Sequence, residues 1–206
     1  MNLPPEQQAK LEENRVEINK IWRESLLRDD VQTVALLMPL GYGVGTMITD
    51  VNLDGRTTCS SLELVSLFRG NKVIPLLLKS DVPRSLPDQA YVEAMFTSLT
   101  HSTPEVIKAF LDHGVPLDAR NEQGDPLLIY AASDSREKML DLIELGFDLE
   151  VKDKNGLNVF EYKEQVLDHE SHYPLSEKEQ AIFKKLELLR SKPEVSSQST
   201  RPKSRL

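Results

Sequence analysis

The feature that most constrains this chain is a period. Three segments share one pattern: Val73-Ile74-Pro75-Leu76-Leu77-Leu78-Lys79-Ser80-Asp81, Val106-Ile107-Lys108-Ala109-Phe110-Leu111-Asp112-His113-Gly114, and Met139-Leu140-Asp141-Leu142-Ile143-Glu144-Leu145-Gly146. Asp81 and Gly114 lie 33 positions apart, and Gly114 and Gly146 lie 32 apart. Such a period belongs to chains built from one supersecondary unit, each copy burying its apolar face against the next. Apolar residues at i and i+3/i+4 predict a helix in each segment. Each helix then reaches a turn, where glycine, in two of the three copies, permits a positive φ.

Seven positions beyond each turn stands an Asn or Asp: Asp88, Asn121 and Asp153. Two of them open a tight turn, Asn121-Glu122-Gln123-Gly124 and Asp153-Lys154-Asn155-Gly156, and Asn52-Leu53-Asp54-Gly55 is a third such turn upstream. Asn or Asp at the start and Gly at the tip are the chemistry of a hairpin turn. Short helices are predicted after these starts, over Thr58–Phe68, Asp88–Thr100, Leu127–Ser133 and Val159–Asp168. The repeating unit is thus turn, helix, helix, turn.

In these residues the chain resembles the ankyrin-repeat family. Gly55-Arg56-Thr57-Thr58 is similar to the family's Gly-x-Thr-Pro, and Asn121–Gly124 followed by Ala131-Ala132 is similar to its turn and paired small residues. Leu111-Asp112-His113-Gly114-Val115-Pro116-Leu117-Asp118-Ala119-Arg120-Asn121 is similar to its Leu-x-x-Gly-Ala-Asp-Val-Asn end. The likeness covers Asn52 to about Tyr162. The Thr-Pro-Leu-His stretch is degraded throughout, and Asp88–Tyr91 has no tip glycine. The resemblance implies an all-α solenoid of stacked helix-turn-helix units with short finger hairpins and helical caps.

The flanks fit that scheme. Residues Pro5–Arg28 are expected as one charged helix with Leu11, Ile18, Ile21 and Trp22 toward a core, and Val31–Met38 as a second, stopped by Pro39. Thr103-Pro104-Glu105 opens a helix with an N-cap threonine and proline at the first position. Ser176-Glu177-Lys178-Glu179 is a capping box before a helix carrying Ile182, Leu186 and Leu189. The expected organisation is N-terminal capping helices and a long first finger over 1–51, three central repeats over 52–156, C-terminal capping helices over 157–190, and a disordered tail over 191–206, which has no apolar period.

No chemistry-bearing constellation stands out. Gly41-Tyr42-Gly43-Val44-Gly45-Thr46 suggests a phosphate loop, but no helix start or P-loop lysine follows it, and Met47-Ile48-Thr49 reads as extended, so a flexible finger is expected. His169-Glu170-Ser171-His172 lacks the spacing and further ligands of a zinc site. His113, at a helix end, and His101 are expected to be structural. The single cysteine, Cys59, is expected to be buried, with no disulfide. No catalytic set, metal or cofactor is expected.

Charge narrows the partner. The net charge of −8 disfavours a phosphate backbone and favours a basic protein. Met1–Lys20 has no apolar h-region and no run reaches the ~20 apolar residues of a membrane span, so a cytoplasmic monomer is expected. In the ankyrin family the finger tips and first helices line the concave binding face. Carried onto this chain, that implies partner contacts at Asp54, Arg56, Tyr91, Glu93, Glu122, Gln123, Asp125, Tyr130, Lys154, Asn155 and Glu161. The expected function is non-catalytic protein binding, as in an immunity- or antitoxin-like inhibitor. The alternative is a translocated effector or scaffold that recruits a host protein.

Overall fold

A computed structural model describes residues 5–53, 56–81, 83–167 and 176–191. The described chain is mostly helical, with one antiparallel two-stranded hairpin. It forms two compact units, Met1–Leu127 and Leu128–Leu206.

The first unit is three helix pairs. The helices are α1 (Pro5–Leu27) with α2 (Val31–Leu37), α3 (Ser61–Leu67) with α4 (Val73–Ser80), and α5 (Asp88–Leu99) with α6 (Pro104–Asp112). Within each pair the two helices touch. Between pairs α1 packs on α3 and α3 on α5, while α2 packs on α4 and α4 on α6. First helices therefore meet first helices and second helices meet second helices, as a repeated unit requires. The N-terminal pair, expected as a separate cap, packs in the same order as the pairs that follow it.

Trp22 is fully buried on α1, and its indole N–H donates to Ser61 Oγ at 2.9 Å, at the start of α3. Leu26, Val65, Val73, Leu77, Met95, Val106 and Phe110 are among the residues buried with it. Burial along α1 differs from expectation: Ile21 is 42% exposed and Ile18 only half-buried, while Ser25 and Leu26 are buried. The inward face runs through Trp22, Ser25 and Leu26, about one helical turn apart. Leu11 lies among residues whose side chains are not described. Of the segment residues Leu77, Leu111 and Ile143, Leu77 is buried and the other two are half-buried.

Between α2 and α3 the chain makes a short 3-10 turn, Met38–Leu40, and then the strands β1 (Met47–Leu53) and β2 (Arg56–Ser60), paired Met47 to Ser60 and Ile48 to Cys59. Thr58, expected in a helix, is in β2, and the helix begins only at Ser61. Ser60 caps it, its Oγ accepting from the Glu63 N–H. Cys59 is buried, as expected. The glycine loop before β1, expected as a flexible finger, has several anchoring contacts: Gly41 takes φ +95°, the Gly43 N–H donates to Thr46 Oγ1 at 2.8 Å, Val44 is buried, and the Tyr42 ring lies 5.2 Å from that of Trp22.

The second unit contains α7 (Leu127–Asp134, whose first residue closes the first unit), α8 (Met139–Glu144), α9 (Val159–Tyr162) and α10 (Glu177–Arg190). After α9 the helix widens into a π turn, Lys163–Leu167, where an uninterrupted α-helix was expected. Both arms of the Ser176/Glu179 capping box are present. Arg136 bonds Glu179, and this guanidinium, with the Ser176 N–H and hydroxyl, holds the Glu179 carboxyl well below its ordinary value, to about 2. Glu150 pairs with Arg190 at 2.5 Å. The stretch 168–175, with both expected loop histidines, and the tail 192–206 lie outside the described residues.

The turn chemistry read from the sequence recurs in detail. At the first turn Asn121 N–H donates to the Asp125 carbonyl, Gly124 N–H to the Asn121 carbonyl, and Asp125 N–H to Asn121 Oδ1. At the second, Asp153, Gly156 and Leu157 repeat the same three bonds. Gly124 has φ +85° and Gly156 φ +81°. A β-branched residue resists that region. Gly124→Val and Gly156→Val should therefore each cost about 1–2 kcal/mol in urea unfolding. Neutral results at both positions would contradict these turn conformations.

Candidate functional site

The two turns carry their middle residues outward. Glu122 and Gln123 are exposed on the first, Lys154 and Asn155 on the second. The tips are stiffened from beneath: Arg120 Nη1 donates to the Gly124 carbonyl at 2.8 Å, and Asn155 Nδ2 donates to Asp153 Oδ2 at 3.2 Å. Asp125 and Tyr130 are half-buried. Asp54 lies outside the described residues, as does the side chain of Arg56.

Three of the expected contact residues serve the fold. Glu93 Oε1 accepts from the Glu122 N–H at 2.9 Å and from Gln89 Nε2 at 2.6 Å, so it fastens the finger to α5. Glu161 closes a capping box, its Oε2 accepting from the Asn158 N–H at 2.8 Å. Tyr91 corrects the reading most strongly. Expected on a binding face, it is fully buried inside the first unit.

Tyr91 stands at the centre of a cluster that sequence spacing does not reveal. Its hydroxyl donates to Asp81 Oδ2 and accepts from the backbone N–H groups of Ser85 and Leu86, each at 3.1 Å. Burial, and then the hydrogen bond to Asp81, push the Tyr91 phenol above its ordinary value. Asp81 Oδ1 accepts from the Ser85 N–H at 3.1 Å. His113 Nε2 lies 3.5 Å from Asp81 Oδ2 and makes no hydrogen bond. The His113 ring lies 4.9 Å from that of Tyr91. Arg84 closes the cluster: its guanidinium sits 5.2 Å over the Tyr91 ring, donates to the His113 carbonyl at 2.6 Å and pairs with Asp88.

Asp81 occupies the place where the two later copies have glycine at φ +97° and +96°. Its own φ is −85°, so the helix end is built differently here, by a side chain and not by a left-handed residue. Gly114 is required by its φ of +97°; a Cβ there would also sit 2.6 Å from Arg84 Nη2, so the guanidinium would have to shift.

Among the described residues no hydroxyl or thiol hydrogen-bonds His113 Nε2, the arrangement that a nucleophilic triad requires. No group of three or more metal-ligating side chains occurs among the described residues. No helix among them is long and apolar enough to cross a membrane. No protein-family model and no curated protein matches the chain.

Proposed function

We propose that the chain is a degenerate ankyrin-repeat protein whose finger tips bind a basic partner protein without catalysis. The observation that carries this reading is the pair of turns with the same hydrogen-bond pattern, each holding two polar residues out of its fold. Rigid, pre-formed tips lose little entropy on binding, and exposed polar tips have the composition of an interface rim. The ordered helix pairs of the first unit and the 33- and 32-residue spacing support the repeat reading. The net charge of −8 favours a cationic partner and an association that slows as salt rises.

The test is a double charge reversal, Glu122→Lys with Asp125→Lys, in the full chain. Binding to the captured partner should weaken roughly tenfold or more, about 1.4 kcal/mol, with the circular dichroism spectrum unchanged. Reversal of Lys108 or Lys138 should change affinity less than twofold. If those two abolish binding and the finger variant does not, the contact lies at α6 and the turn before α8, and the finger reading fails.

A further inference from the structure

We propose that the cleft between the glycine loop and the end of α4 binds an organic cation, a protonated primary amine or a guanidinium, with Asp81 as its counter-charge. The site is distinct from the finger surface and does not depend on that reading, since none of its lining residues is a finger contact.

The cleft has a volume of about 500 Å3, within the range of small-ligand sites. One wall is the loop Gly41–Thr46, and the other is Ser80, Asp81 and Ser85. Among the described residues that line it, Asp81 carries the only carboxyl, amino, guanidino or imidazole group. Its side chain is only 5% exposed, yet among the described residues no lysine or arginine lies within ion-pair distance of it. The Arg84 guanidinium, over the Tyr91 ring, is engaged by Asp88 and by the His113 carbonyl. Asp81 is left with a phenol, one backbone N–H and an imidazole that offers it no hydrogen bond. The His113 imidazole, 3.5 Å from Asp81 Oδ2, is a positive partner only when protonated; a buried carboxylate without a fixed positive partner is costly, and a cation arriving through the cleft supplies one.

The remaining lining selects the same class. Ammonium and guanidinium groups are pure donors, and the walls offer hydroxyl oxygens at Ser80, Ser85 and Thr46 and the bare backbone of three glycines. Tyr42 adds an aromatic ring suited to a cation. An anion would meet the Asp81 charge, and an apolar ligand would strip that charge of its remaining solvent.

The experiment titrates the full chain by calorimetry with agmatine, with putrescine, with the peptides Gly-Arg-Gly and Gly-Lys-Gly, and with uncharged butanol. Saturable binding of at least one cation and none of butanol is expected. The free amines and the peptides separate a small-molecule ligand from a side chain offered by a protein. Two variants probe the walls without touching Asp81. Ser80 is exposed at the end of α4, so Ser80→Lys sets a competing charge at the mouth, and a Cβ at Gly43 meets nothing within 4 Å, so Gly43→Leu narrows the cleft. Each should weaken cation binding tenfold or more at an unchanged melting temperature. No saturable binding by any cation, butanol binding as well as the amines, or full affinity retained in both variants would overturn the proposal.

Discussion

Trp22→Ala is expected to destabilise the first unit by about 3–5 kcal/mol, the range for emptying a large aromatic site in a packed interior. Trp22 is completely buried where α1 meets α3. Its loss also removes the 2.9 Å donor to Ser61 Oγ, whose own hydroxyl donates to the Thr46 carbonyl at 3.0 Å. One side chain thus joins α1, the start of α3 and the glycine loop. Trp22→Phe keeps most of the volume and loses the hydrogen bond, so it should cost less, about 1–2 kcal/mol. Because Trp22 is the only tryptophan, unfolding must be followed by circular dichroism in urea, with an unchanged slope showing that the same surface is exposed. A loss below about 1 kcal/mol for Trp22→Ala would mean that the site collapses around the gap and that α1 is not held there.

The turns were legible because they are written in residues with few conformational alternatives. Gly114, Gly124, Gly146 and Gly156 each mark a positive φ, and Asn121 and Asp153 each build their turn with their own side chain. Local chemistry of this kind survives in a single sequence. Ser176 and Glu179 were legible for the same reason, as both arms of a capping box lie within four residues. What was not legible depends on contacts distant in sequence. Tyr91 looked like a surface anchor because it sits on a first helix. Its burial follows from Asp81, ten positions earlier, and from His113, twenty-two later. Glu93 looked free until a finger 29 residues away was found resting on it. Val16, 61% exposed on α1, shows the converse, an apolar residue that periodicity cannot assign to the interior or to solvent. One signal for the cluster was present: the repeat turn that has glycine twice has Asp81 in its first copy, and a departure from an otherwise kept position marks a site where a side chain replaces backbone freedom.

Tyr91→Phe should cost about 2–4 kcal/mol although it removes a single oxygen. The ring and its contacts with Arg84 and His113 remain, so no cavity opens. The hydroxyl, however, is the donor to buried Asp81 and the acceptor for the Leu86 N–H, and it shares the Ser85 N–H with Asp81 Oδ1. Deleting it deprives a charged acceptor and a backbone donor together, and each buried polar group left unpaired costs about 1–3 kcal/mol. Tyr42→Phe is the control. Its hydroxyl donates to Asn19 Oδ1 at an exposed position, where water replaces the bond, and its cost should stay below about 1 kcal/mol. The pH dependence gives a second readout. Burial and the Asp81 hydrogen bond raise the Tyr91 phenol above its ordinary value. The stability it contributes is therefore complete below an ordinary phenol's pKa of about 10 and is lost as the pH rises through the folded-state value. The gap between wild type and Tyr91→Phe should hold constant from neutral pH to about 9 and narrow above 10. A gap that is small at neutral pH, or that widens in alkali, would show that the Tyr91 hydroxyl does not hold the Asp81–Leu86 segment.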